Sequence, residues 1–153
     1  MIIASFEYSI NFIDPLDVFV GYDDTSSCCE DFGWLFLPCI YTNMEDHFRE
    51  RGIEILDEGG LSEDMCMFSG DEKAVMGALE NYVFDPSFME DHGDVAVFKL
   101  LGPNGNEVYL HLYCYHNGYY SHGFSFNVGP DNLHINPSNE EIKQAKEIRS
   151  GSL

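Results

Sequence analysis

Residues Glu107 to Val128 read EVYLHLYCYHNGYYSHGFSFNV. The stretch holds seven aromatic residues and three of the chain's six histidines. Two alternating runs flank Asn117-Gly118. Asn-Gly between such runs is the strongest short-range hairpin signal, because a type I′ turn needs positive φ at both central residues. The pattern predicts a β-hairpin with its tip at Asn117-Gly118. Tyr115 would then oppose Tyr120, Tyr113 would oppose His122, and His111 would oppose Phe124. Strand side chains alternate between faces. One face would carry Tyr109, His111, Tyr113, Tyr115, Tyr120, His122, Phe124 and Phe126. The other would carry Leu110, Leu112, Cys114, His116, Tyr119, Ser121, Gly123 and Ser125.

Working outward, Asp94 to Leu101 (DVAVFKLL) reads as a strand and Gly102 to Asn106 (GPNGN) as a turn. Residues 94–128 would thus form a three-stranded antiparallel meander. Two helices are predicted. Over 71–82, Ser69 and Glu72 make a capping box, and Ala74, Val75, Ala78, Leu79 and Tyr82 form an apolar stripe. Asp85-Pro86 should stop that helix, since the residue before proline disfavours the helical region. Over 138–149, Ser138 and Glu141 make a second capping box, with acids early and bases late. The expected fold class is α+β, a sheet containing the meander packed against these two helices, in one domain spanning 1–153.

Toward the N-terminus, Ile2 to Ile13 reads as one strand ended by Asp14-Pro15. Asp17 to Tyr22 reads as another, with Gly21 marking a bulge. Gly33 to Tyr41 reads as extended. Asn43 to Arg51 fits a short helix and Ile53 to Leu56 a short strand.

The charge narrows the function classes. The 27 acids and 7 bases give a net charge of −20. Residues 1–94 hold 22 of the acids and 3 of the bases, so they form an acidic part beside a near-neutral part over 95–153. Such a chain repels phosphate backbones, which argues against direct nucleic-acid binding and favours a basic protein surface. No apolar run approaches the roughly 18 residues that a membrane span requires. Five cysteines at irregular spacing, without a basic stretch before the apolar N-terminus, point to reduced thiols and a cytoplasmic setting. Oligomeric state is not legible.

Three groups of residues are candidate sites. The acidic pairs Asp23-Asp24, Glu45-Asp46, Asp57-Glu58, Glu63-Asp64 and Glu90-Asp91 could present carboxylates to a partner; Asp71-Glu72 is a further pair. None sits in an EF-hand pattern. The second group is Cys28-Cys29-Glu30 with His116, Tyr119, Tyr120 and His122, a ligand or thiol-dependent site. Its thiols lie among acids, which raise a thiol's pKa and weaken it as a nucleophile. The third is metal. A zinc site needs Cys and His ligands that converge. Strand parity separates His111 and His122 from Cys114 and His116, so no metal site is expected. Nucleotide-loop, serine-elbow and metalloprotease motifs are absent, and no cofactor is expected.

Cys28-Cys29-Glu30 with Phe32-Gly33-Trp34, and Asn117 to Ser121 (NGYYS), resemble a poorly characterised family of small bacterial and phage domains. Those domains carry an early cysteine pair and a late NGYYS hairpin. The resemblance implies an α+β setting and brings no catalytic residue with it. The residues therefore suggest a small acidic, non-enzymatic binding protein. An inhibitor of the anti-restriction or anti-CRISPR kind, mimicking nucleic acid toward a nucleic-acid-binding host protein, would have this character. The alternatives are the thiol or ligand site and an immunity-type protein that caps a basic toxin.

Overall fold

The computed structural model describes residues 1–25, 31–43, 72–115 and 121–153. Among these, nine strands form two antiparallel sheets. The strands are β1 (Ile2–Phe6), β2 (Ser9–Ile13), β3 (Val18–Asp23), β4 (Asp31–Leu37), β5 (Val83–Asp91), β6 (Val95–Leu101), β7 (Glu107–Tyr115), β8 (Gly123–Val128) and β9 (Lys146–Ser152). The helices are α1 (Glu72–Ala78) and α2 (Asn139–Lys143), of seven and five residues. One sheet runs β1-β2-β3-β8-β9 and the other β4-β7-β6-β5.

Turn chemistry explains the short connections. At the β2–β3 turn, Asp14 Oδ1 accepts from Leu16 N at 2.8 Å and Val18 N at 2.9 Å. Asp17 there adopts φ 64°, a left-handed conformation that Asp tolerates better than most residues. At the β6–β7 turn, Gly102 N donates to Asn106 O at 2.8 Å, and Gly105 takes φ 76°.

The sheets pack face to face. Phe12, Val20, Tyr22, Phe124 and Phe126 of the first meet Phe36, Phe98, Leu100, Leu110, Leu112 and Cys114 of the second in one buried cluster. Aromatic rings meet edge to face, as their quadrupoles favour: Phe98 and Phe126 at 5.3 Å, Phe12 and Phe36 at 5.8 Å. Tyr22 Oη crosses between sheets and donates to Tyr113 O at 2.8 Å. Val75 and Leu79, from α1 and the turn after it, join the same cluster.

This architecture overturns the α+β expectation: the chain is predominantly β. The 94–101 and 107–115 strands pair as foreseen. The second half of the meander does not form, because β7 pairs with β4 and β6 while β8 pairs with β3 and β9. Asn117-Gly118 lies outside the described residues, but the strands on either side of it belong to different sheets. Period-two alternation was therefore read correctly within each strand and wrongly across them. The core faces of β7 and β8 are the leucine face of one and the phenylalanine face of the other. Paired as a hairpin, they would have pointed to opposite sides.

Both helices are shorter than their sequence patterns. The first ends at Ala78, and Asp85-Pro86 falls inside β5, an edge strand with an irregular register between Phe84 and Met89. Edge position and irregularity are where a sheet accommodates proline. Ser138 does cap the second helix, accepting from Glu141 N at 3.2 Å. Residues 146–149 of the predicted helix instead belong to strand β9, which completes the free edge of β8. A helix this short is marginal in water, and ladder hydrogen bonds outweigh its propensity. Ile2 to Ile13 is a hairpin rather than one strand. Gly21 is in register with both Asn11 and Ser125, not in a bulge. The predicted elements at 43–51 and 53–56 fall in or run into residues outside those described.

Candidate functional site

The strand directions set the two ends of the sandwich. Phe84 N donates to Asp14 Oδ2 at 2.8 Å, which places the start of β5 at the β2–β3 turn. Arg149 Nη1 reaches Met89 O at 3.3 Å, holding the edges of β5 and β9 together. The far ends of β3 and β5 consequently lie at one end of the molecule. That end carries Asp23 and Asp24, Glu90 and Asp91, and Asp94. Asp24, Asp91 and Asp94 are exposed, and Asp23 and Glu90 are half-buried.

Local chemistry keeps these carboxylates in place. Asp23 Oδ1 accepts from Thr25 N at 2.9 Å and Asp91 Oδ1 from Gly93 N at 3.0 Å. Glu90 Oε2 meets His92 Nε2 at 2.8 Å. Partial burial, with Asp23's charge alongside, pushes the Asp24 carboxyl above its ordinary range. Lys146, in register with Val128, lies toward the opposite end of the sandwich, Lys99 is paired with Glu107 at 2.9 Å, and Arg149 sits against Met89, next in sequence to Glu90.

The remaining acidic pairs, Glu45-Asp46, Asp57-Glu58 and Glu63-Asp64, lie outside the described residues. So do Cys28, Cys29, Glu30, His116, Tyr119 and Tyr120. His122 is described. It is 2% exposed, its Nδ1 donates to Asp23 O at 2.7 Å, and its ring stacks on Phe32 at 4.3 Å. It is built into the interior beneath the acidic end rather than offered to a ligand.

His111 is also buried. Its Nδ1 donates to Tyr109 O at 3.1 Å and its Nε2 accepts from Tyr41 N at 3.0 Å. It sits on the outer face of the four-stranded sheet, among Leu35, Leu37, Val97 and Tyr109. Cys114 faces the opposite way, into the core between the sheets. Among the described residues, no three His, Cys, Asp or Glu side chains come together as metal ligands would. Nor is any described helix long and apolar enough to cross a membrane.

Two features escaped the sequence reading. The first is Asp17 with His134. Asp17 Oδ1 accepts from His134 Nδ1 at 2.7 Å and from His134 N at 2.9 Å, and its Oδ2 accepts from Asn132 N at 2.9 Å. Desolvation is the largest single influence on this carboxyl and acts upward. The hydrogen bonds together outweigh it and hold the group below its ordinary value. No sequence signal joins residues 117 positions apart.

The second is a groove of about 350 Å³ on the outer face of the five-stranded sheet. Its floor is the row Asn11, Gly21 and Ser125, side by side across β2, β3 and β8. Ser9 and Asp23 make the next row, toward the acidic end. Segment 129–145 covers the other part of this face, burying Ile13, Phe19 and Leu133 against Ile142 and Ala145. The signal was present in SINFI and GFSFNV, where Ser and Asn recur at every second position.

Compared with protein-family models, with curated proteins and with solved structures, the chain finds no match. Its function has to be read from its own residues.

Proposed function

We propose that this is a non-enzymatic binding protein whose acidic end engages a basic surface on a partner protein. The observation that carries the reading is the convergence of Asp23, Asp24, Glu90, Asp91 and Asp94 at one end of the sandwich. Four of these come from the pairs Asp23-Asp24 and Glu90-Asp91, and they arrive from strands of different sheets. Like charges held together raise their mutual energy, and a cationic surface relieves it. A nucleic-acid-binding protein offers such a surface, so an inhibitor that occupies its phosphate track is the fuller form of the proposal. An immunity-type protein capping a basic toxin would use the same chemistry.

The test separates a specific acidic face from the general attraction of a chain at −20. Binding of a labelled nona-arginine peptide is followed by anisotropy across a salt series. The comparison is with a variant carrying Asp24→Asn, Glu90→Gln and Asp91→Asn. That variant removes a small share of the total charge. If the acidic end is the docking face, affinity falls roughly tenfold or more and the salt slope flattens. Affinity that tracks total charge alone, or that is indifferent to salt, refutes the reading.

A further inference from the structure

The groove on the five-stranded sheet bears polar atoms that the fold does not use. Asn11 is 2% exposed and Asn127 is 6% exposed. Asn11 Nδ2 donates to Ala4 O at 3.3 Å and to Ser9 Oγ at 3.2 Å. A backbone carbonyl can only accept, so this contact fixes which end of the amide is nitrogen. Asn11 Oδ1 then lies over Gly21, 2.9 Å from where a Cβ at that position would stand. It takes no hydrogen bond from any described residue. Asn127 Nδ2 donates to Ser125 Oγ at 2.8 Å, which likewise leaves its Oδ1 without a protein donor. At the acidic end of the groove, Asp23 spends Oδ1 on Thr25 N and keeps Oδ2 for another partner.

These atoms are two amide oxygens and one carboxylate oxygen, all acceptors. No Lys, Arg or His lines the groove among the described residues. Water reaches these oxygens, since the buried side-chain atom left without a partner among the described residues is Glu141 Oε2, and a ligand that offers donors to several of them at once displaces that water. Because Gly21 has no side chain, the floor is open to a flat group. Tyr8, 62% exposed, and the edge of Phe19 supply apolar surface beside it. A guanidinium matches this combination. It is planar, has five N–H donors and no acceptor, is always charged, and packs against aromatic rings.

We infer that this groove takes the guanidinium of an arginine side chain presented by the basic partner. The inference rests on the proposed function, since Asp23 belongs both to the groove and to the acidic end. It adds the residue type that the partner must supply and the place where that residue is held.

The probe is N-acetyl-arginine-N-methylamide, titrated into the uniformly ¹⁵N-labelled protein and followed by amide correlation spectra. The lysine analogue and glucose serve as comparisons. Saturable shifts are expected at the backbone amides of Gly21 and Ser125 and at the side-chain amides of Asn11 and Asn127. The lysine analogue should bind several-fold more weakly, because an ammonium cannot bridge separated acceptors as a planar fork does. Ser125→Leu fills the groove and should lose roughly tenfold or more in affinity while its spectrum keeps native dispersion. Ser125→Val serves if the leucine variant does not fold.

Shifts confined to Asp24, Asp91 and Asp94, equal binding of the lysine analogue, or saturation by glucose would each overturn the inference. So would full affinity in a folded Ser125 variant. If the arginine probe misses the groove but the nona-arginine peptide still loses affinity in the acidic-end variant, the groove inference fails and the proposed function stands. If the peptide is indifferent to that variant, the proposed function itself fails.

Discussion

Asp14 is the residue on which the two sheets lean at one end of the sandwich. Its carboxylate is fully buried and accepts three backbone N–H groups: Leu16 at 2.8 Å, Val18 at 2.9 Å and Phe84 at 2.8 Å. The first two close the β2–β3 turn; the third ties that turn to the start of β5 in the other sheet. Asp14→Ala removes both acceptor oxygens and with them all three bonds. The bonds from Val18 N and Phe84 N are buried. Each orphaned donor costs about 1–3 kcal/mol, while the bond from Leu16 N is only part-buried and its donor can turn to water. Deleting a desolvated carboxylate returns part of that. The net loss is about 2–4 kcal/mol, roughly 4–16 °C in Tm for a chain of this size. Asp14→Asn keeps an oxygen toward the turn but sets an NH₂ against Phe84 N, costing about 1–3 kcal/mol. Urea unfolding at neutral pH, followed by tryptophan fluorescence, should rank wild type above Asp14→Asn above Asp14→Ala, with the slope m unchanged. An alanine variant within 1 kcal/mol of wild type, or an asparagine variant as damaged as the alanine one, would refute the reasoning.

Asp14 and Asp17 should respond to pH with opposite signs. Burial raises the Asp14 carboxyl from its ordinary 3.8, so the folded state binds the proton more tightly and the stability of wild type relative to Asp14→Asn should grow as pH falls toward 3.8. Asp17 is held below 3.8 despite desolvation, so its advantage over Asp17→Asn should be complete above 3.8 and shrink below it; denaturant midpoints from pH 7 down to 3 at micromolar protein check both. Gly21→Ala places a Cβ 2.9 Å from Asn11 Oδ1, and the overpacking should cost about 1–3 kcal/mol by chemical denaturation. Phe126→Ala empties a fully buried site packed against Phe98 and Phe84, and should cost about 3–5 kcal/mol by the same measurement.

Much of the secondary structure was legible locally. The strand at 95–101, the turn at 102–106 and the strand at 107–115 follow from alternation and from Gly-Pro-Asn-Gly-Asn. The cap at Ser138 follows from its spacing to Glu141. The candidate site was legible only as a list of acidic pairs. Which of them share a face depends on strand directions in two sheets, and no local pattern encodes that. His122 shows the same limit: beside tyrosines in sequence it is a candidate ligand-site residue, while in the fold it is stacked on Phe32 and buried.

By itself the sequence determined the charge and its asymmetry, the turns at Asp14-Pro15 and at 102–106, and which side chains within each strand share a face. These depend on covalent order and on a two-residue period. The tertiary structure decided that β7 and β8 belong to different sheets, that residues 146–152 are a strand, and that Asn11, Gly21 and Ser125 line one groove. The reason is that backbone edges must be paired and apolar faces covered, and both conditions are met by partners far away in the chain. The leucines of β7 and the phenylalanines of β8 could not have buried each other as neighbours in one hairpin. Placed in opposing sheets, they bury each other across the core.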